Sequence, residues 1–278
     1  MSQKNIKHYT IEEILKYLNC SLCHHLEYNL KVIPTEKALH NNKNNYYKEA
    51  LSETVAYYYR GHTDKKPPSL HQLYNKFYQL WMAKNGTENE NSIFTRSFEN
   101  AGHLNREAES KYVQSGYESI KNFFNYNNNT KQSVLAYNYT YEIPIKDAVI
   151  TGVIPLIREV EIGSRREVQL VVFSSSRKKP NLEHIKINLD YILQSFAFNH
   201  TLRVVPDKFI VYYLARDEEV EVYYNTNDYK RLFATIEGFV DMVNVVKPFP
   251  TAGVHTYSSL YKDVCDSYDF NLTPTTNN

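Results

Sequence analysis

The sequence predicts an α/β protein, α+β-like in its element order. It has a mixed central sheet of about five strands, flanking helices and a helical N-terminal half. Two observations carry this. Up to about residue 130 the apolar residues recur at helical spacing, and beyond it they alternate in strand fashion. In the second half, three strand-like runs precede a helix-spaced segment, two more strand runs and a last helix. That order lays helices against a mixed sheet.

Each element has its own signal. Thr10 precedes Ile11, Ile14, Leu15 and Leu18, with Glu13 three residues on, which is a capping box ahead of a helical stripe. A second short helix is expected over 23–30. The polar stretch 41–45 reads as loop and 46–59 as helix. Pro67 and Pro68 break the chain, and Ser69 can cap a helix carrying Leu70, Leu73, Phe77, Leu80 and Trp81. A loop is expected at 85–91 and helices at 92–101 and 107–124. The Asn-rich run 125–130 reads as a break. Strands are expected at 134–145, 148–162 and 167–174, a helix at 185–199, and strands at 209–214 and 220–224 around a turn at 216–218. A helix over 228–246 is stopped by Pro248 and Pro250, and the tail 273–278 reads as disordered. There is no internal repeat. The chain divides into a helical region 1–130, an α/β core 131–250 and a C-terminal segment 251–278, read as one folding unit.

Composition narrows the function classes. Among 278 residues 42% are hydrophobic, as in ordinary globular proteins. No apolar run approaches the roughly 20 residues a membrane crossing needs. The polar stretch 1–8 lacks a signal-peptide core. A cytoplasmic protein with no membrane partner is expected. The net charge of +1 gives no global field for nucleic acid, so any basic site is local. Three cysteines, Cys20, Cys23 and Cys265, are too few and odd in number for a disulfide framework. With 25 tyrosines, abundant Asn and Lys, and 8 glycines, the bias fits an AT-rich genome, that of a phage, a low-GC bacterium or a mobile element.

Four segments have wording of their own. They are Tyr9-Thr-Ile-Glu-Glu-Ile-Leu-Lys-Tyr-Leu-Asn-Cys20, Gly152-Val-Ile-Pro-Leu-Ile157, Leu170-Val-Val-Phe-Ser-Ser-Ser-Arg-Lys-Lys-Pro180, and the helix-spaced stretch 189–200. In this order they resemble the PD-(D/E)XK nuclease superfamily, in its RecB-type exonuclease branch that includes the nucleases of CRISPR adaptation. The resemblance implies a restriction-endonuclease-like core. It aligns the four segments with an opening helix ending in cysteine, a G-x-I-D-x-I strand, a V-V-D-x-K-T strand and a helix carrying Q-x-x-x-Y.

Such a site hydrolyses phosphodiesters with divalent cations held by strand carboxylates, beside a lysine that stabilises developing charge. Here the first acid position holds Pro155, the second Phe173 and the lysine position Ser175. Shifting the second strand by one residue gives Val172 and Ser174. Gln194 stands at the glutamine position with Phe198 four residues later, and another register places Phe196 at the tyrosine. No histidine occurs in 46–60, where many relatives carry one. The resemblance therefore implies a catalytically inactive protein without a cofactor. It would serve as a DNA-associated or scaffolding subunit, with other protein subunits as partners and DNA as a further one.

Two alternatives stay open. One is a divergent Mg- or Mn-dependent DNA exonuclease with displaced carboxylates. Glu159 and Glu161 share a strand face and Glu167 opens the next strand. The other is a structural component of a virion or complex, virion-associated if phage-encoded. Cys20 and Cys265 stand where two ligands of some relatives' four-cysteine iron–sulfur cluster belong. With Cys23 they make three thiols, short of the four a cluster needs, so they read as small buried hydrophobes unless His24 or His25 completes a zinc site. The local basic candidates for phosphate contact are Arg165, Arg166, Arg177, Lys178, Lys179 and Lys186, provided the two strand turns lie near each other. Tyr223, Tyr224 and Tyr229 are candidates for base stacking.

Overall fold

The computed structural model describes residues 6–34, 43–63, 66–85, 106–246, 248 and 261. Of the loop expected at 85–91, Asn85 ends a helix and 86–91 lie outside the described residues, as do the helix expected at 92–101, the tail 273–278 and Cys265.

The chain is mixed α/β, with a six-stranded sheet between two helical layers. A strand β1 (Lys7–Thr10) leads into α1 (Ile11–Asn19). Thr10 Oγ1 accepts from the Glu13 amide at 3.1 Å, which closes the helix start as expected. A short α2 (Ser21–His24) passes into a π-helical turn, His25–Asn29. Three long helices follow: α3 (Lys43–Thr63), α4 (Leu70–Asn85) and α5 (Arg106–Asn129). Ser69 and Gln72 cap α4 reciprocally, Ser69 Oγ accepting from the Gln72 amide and Gln72 Oε1 from the Ser69 amide.

The sheet carries β2 (Gln132–Ile145), β3 (Ala148–Ile162) and β4 (Arg165–Ser174), joined by tight hairpins. Lys146 and Gly163 take positive φ in the two turns. Helices α6 (Leu182–Lys186) and α7 (Leu189–Leu202) cross over to β5 (Lys208–Tyr213), which runs parallel to β4. β6 (Glu218–Val222) pairs antiparallel with β5, and α8 (Thr226–Met242) closes the described fold behind an Asn225–Asp228 capping box.

Strand alternation builds both cores. On β4, Leu170 and Val172 enter one core while Val171 and Phe173 face the other. The first core gathers α1, α6, α7 and α8, and the second gathers α3, α4 and α5. The helical first half thus shares cores with the sheet: Tyr9, Ile11 and Ile14 pack with β3 and α8.

The structure sharpens one expectation and corrects two. The sheet has six strands because β1 adds to β3 in parallel, Lys7 opposite Ala148 and Thr10 opposite Thr151. The run expected to break at 125–130 stays helical to Asn129, because Asn127 is buried and bonded: it accepts from Tyr59 Oη at 2.7 Å and donates to the Phe123 carbonyl at 2.8 Å. The helix expected over 185–199 is two helices, because Asn188 caps the second through the amides of Asp190 and Tyr191.

Candidate functional site

β3 is longer than its partners on one side. There it pairs with β1 only to Thr151 and with β4 only from Leu156, so 152–155 has no strand partner on that side. Its other side pairs with β2 throughout this stretch. Pro155 stands in the gap, opposite Asn138, whose φ is 51°. A strand proline is tolerated where the ladder is interrupted. Both strands also change faces here. Ile154 and Ile157 point into the same core, with Leu156 in the other, and β2 makes the matching switch between Ala136 and Tyr139.

A cleft of about 1370 Å³ opens at this gap. Pro155, Phe173, Ser175 and Gln194 all line it, so the four positions singled out in the sequence converge. Pro155 offers no side-chain donor atom. The Phe173 ring is engaged by Phe123 at 5.3 Å and Tyr59 at 6.1 Å, toward the α3 and α5 layer. One serine hydroxyl is not a donor set for Mg²⁺ or Mn²⁺, which demand several hard oxygens. The metal implied by the resemblance does not fit these positions. Among the described residues no group of three or more His, Cys, Asp or Glu is placed to hold a metal.

The cleft is nonetheless charged. Glu12 from α1, Glu142 from β2 and Asp190 from α7 line it, against Lys48 from α3. Among the described residues no ion pair joins Lys48 to any of the three acids. Asp190 lies in the first turn of α7, where the helix dipole favours a carboxylate. Burial outweighs this and pushes its pKa up to about 6; a hydrogen bond from Gln194 pulls it down and the Glu12 charge adds to the rise. The Gln194 side chain is 2% exposed, and its Oε1 has no hydrogen-bond partner.

Tyr141 Oη is likewise buried and unpartnered. Burial raises the phenol pKa, and Asp190 and Glu12 raise it further, which puts all three groups in one electrostatic neighbourhood. Tyr141 lies directly across from Gly152. A Cβ at Gly152 would stand 2.2 Å from Tyr141 Oη, so the glycine of the G-x-I motif makes room for the phenol.

The other candidates are engaged elsewhere. Glu159 pairs with Arg166 at 3.2 Å, Glu161 with Arg166 at 3.8 Å, and Glu167 with Lys208 at 3.6 Å. All three lie toward the β3–β4 hairpin, and even Glu159 is about 13 Å along the strand from Pro155. The expected basic patch is two patches. Arg165 and Arg166 begin β4, whereas Arg177, Lys178 and Lys179 follow its other end, roughly 30 Å away over ten strand residues. The two turns lie at opposite ends of one strand and cannot meet.

Arg177 sits over the rings of Tyr47 and Tyr112 at 5.1 and 5.3 Å. Lys186 is an exposed residue closing α6. Tyr224 donates to the Ile185 carbonyl and Tyr229 bonds Ser195, so those two are committed to packing. Tyr223 is exposed and bonded to Glu221.

Cys20 and Cys23 are buried in a small cluster with Leu22, Leu26 and Tyr261. Cys20 Sγ accepts from the Cys23 amide at 3.4 Å. His24 is bonded to Glu13 at 3.1 Å and stacked on Tyr28.

Sequence reasoning missed Glu12, Lys48, Tyr141, Glu142 and Asp190. One local signal pointed to Asp190: it lies four residues before Gln194, on the same helix face. No protein-family model matches the chain, and no curated protein matches it.

Proposed function

We propose that this protein is a catalytically silent, nuclease-like subunit that holds a partner and cuts nothing. One observation carries the reading: Pro155, Phe173 and Ser175 line the cleft at the gap beside β3 and supply neither carboxylate nor lysine. The antiparallel run β2–β3–β4 followed by a helical crossover to a parallel β5 is consistent with the resemblance on which this reading draws. Fold alone does not give function, so the weight falls on the site.

The electrostatics favour a protein partner over DNA. Three acids and one lysine line the cleft, which repels phosphate, and the basic residues are divided between two distant turns. Incubation with single- and double-stranded DNA in Mg²⁺ or Mn²⁺ is expected to leave both intact. Cleavage that disappears in Glu12→Gln or Asp190→Asn would overturn the reading.

That outcome would establish a second reading, a divergent metal-dependent exonuclease with displaced carboxylates. It has one observation in its favour: Glu12 and Asp190 enter the same cleft. Glu159, Glu161 and Glu167 have no part in it, because their ion pairs lie at the hairpin.

A further inference from the structure

We propose that the cleft is a receptor for a primary ammonium or guanidinium on an aliphatic stem, presented by a basic segment of a protein partner. The inference rests on the silent-subunit reading and names the chemistry of what that subunit would hold.

The charged lining sets the sign of the ligand. Glu12, Glu142 and Asp190 face Lys48 across one space, which leaves an excess of two negative charges when all are ionised. Acidic groups alone would not make a site. The independent observation is Gln194: its side chain is 98% withdrawn from solvent, it lines the cleft, and its Oε1 has no partner. What it leaves unpaired is an amide oxygen, an acceptor. A buried acceptor without a donor costs roughly 1–3 kcal/mol, and a bound donor removes that cost. Tyr141 Oη, equally buried and unpartnered beside Gly152, can accept as well.

The depth of these groups orients the ligand. Glu12, Glu142 and Lys48 are exposed at the mouth, while Gln194 and Tyr141 are buried and Asp190 is half-buried. A charged tip would thus pass the outer carboxylates and end among Asp190, Gln194 Oε1 and Tyr141 Oη. Its stem would lie along the apolar lining of Tyr137, Val153 and Phe173. Lys and Arg side chains have this build, a methylene stem with a multi-donor tip.

A bare divalent cation suits the site less well. The carboxylates of Glu12 and Asp190 with one amide oxygen fall short of its usual ligand count. A space of about 1370 Å³ is also far larger than one ion needs.

The test titrates the full chain with a fluorescein-labelled Lys/Arg-rich peptide, with spermidine and with Mn²⁺, at one fixed ionic strength. The peptide is expected to bind. Asp190→Asn and Glu12→Gln should each weaken it about tenfold, as for a lost charge-assisted hydrogen bond. Lys48→Ser should tighten it, and Glu118→Gln on the far helix α5 should leave it unchanged. Thermal melts of all variants identify any that fails to fold, and Lys48→Ser keeps the test standing if an acid variant does.

Absence of peptide binding, equal binding by all variants, or Mn²⁺ binding alone would overturn the proposal. Spermidine binding without the peptide would keep the cationic site and overturn the protein source. Nuclease activity in the same samples would sink the silent-subunit reading and leave the peptide titration to be judged separately.

Discussion

The two ends of the β3–β4 pair use the same kinds of residue in opposite ways. At the hairpin end every acid singled out has a basic partner: Glu159 and Glu161 share Arg166, Asp207 holds Arg165, and Lys208 bridges Glu167 and Glu221. At the cleft end Glu12, Glu142 and Asp190 gather with Lys48, among the described residues without an ion pair between them, beside two buried polar atoms without partners. Folding accounts for the first end, where each charge balances another. The second end costs stability, because buried polar groups go unpaired, which marks it as a candidate site.

Arg158 gives the sharpest test of the satisfied end. It is 2% exposed, and its guanidinium donates to Gln169 Oε1 and Gln132 Oε1, each at 3.0 Å, and to Tyr126 Oη at 2.6 Å. Tyr126 in turn donates to Glu219 at 2.6 Å, which relays a negative charge toward the buried cation. Arg158→Met would strand three polar partners and is expected to cost about 3–5 kcal/mol in denaturant unfolding.

Asp190→Asn should act in the opposite sense. Burial raises the folded-state pKa from 3.8 to about 6, so the native protein holds this proton more tightly than the unfolded chain. The contribution of this one group is then most favourable below about pH 4, declines as pH rises toward 6, and carries its full penalty above that. The asparagine variant is expected to gain about 2–3 kcal/mol at pH 7 and to lose the slope between pH 4 and 6. A loss of stability at pH 7 would mean that Asp190 is satisfied in the free protein, and the contrast between the two ends would fail.

Gly152→Ala probes the packing of the cleft floor. The added methyl meets Tyr141 Oη and should cost about 1–3 kcal/mol, read as a lowered melting temperature. Pairing it with Tyr141→Phe should recover part of the loss. Arg166→Ala, at 67% side-chain exposure, should change stability by less than about 1 kcal/mol, although it breaks two ion pairs.

Much of the fold could be read from local chemistry. The strand Ala148–Ile162 has the expected bounds because both its ends are hairpin turns with their own signals. The helix starts at Thr10 and Ser69 follow from capping. What failed was what tertiary contacts decide. Lys7–Thr10 is too short to announce a strand, and it becomes one only by lying against Ala148–Thr151. The Asn-rich run looked like a break, yet Asn127 is helical because Tyr59 and Phe123 supply its partners.

The site divides in the same way. Pro155 and Phe173 were legible because strands place residues by period two, so register fixes where they point. Glu12, Lys48 and Asp190 come from three separate helices, and nothing local says that those helices meet. The assumption that the two basic turns were neighbours failed on the length of β4.

The parallel pairing of β1 with β3 also has a kinetic consequence. It closes a loop of about 140 residues, among the longest-range contacts in the described fold, and such contacts form late and open early. Glu12, one wall of the cleft, hangs from that strand through α1. Amide hydrogens of Lys7–Thr10 should therefore exchange faster than those of Leu170–Phe173 at the sheet centre. On this account the cleft is among the late parts of the described fold to be assembled, and a bound ligand that touches Glu12 would slow that exchange.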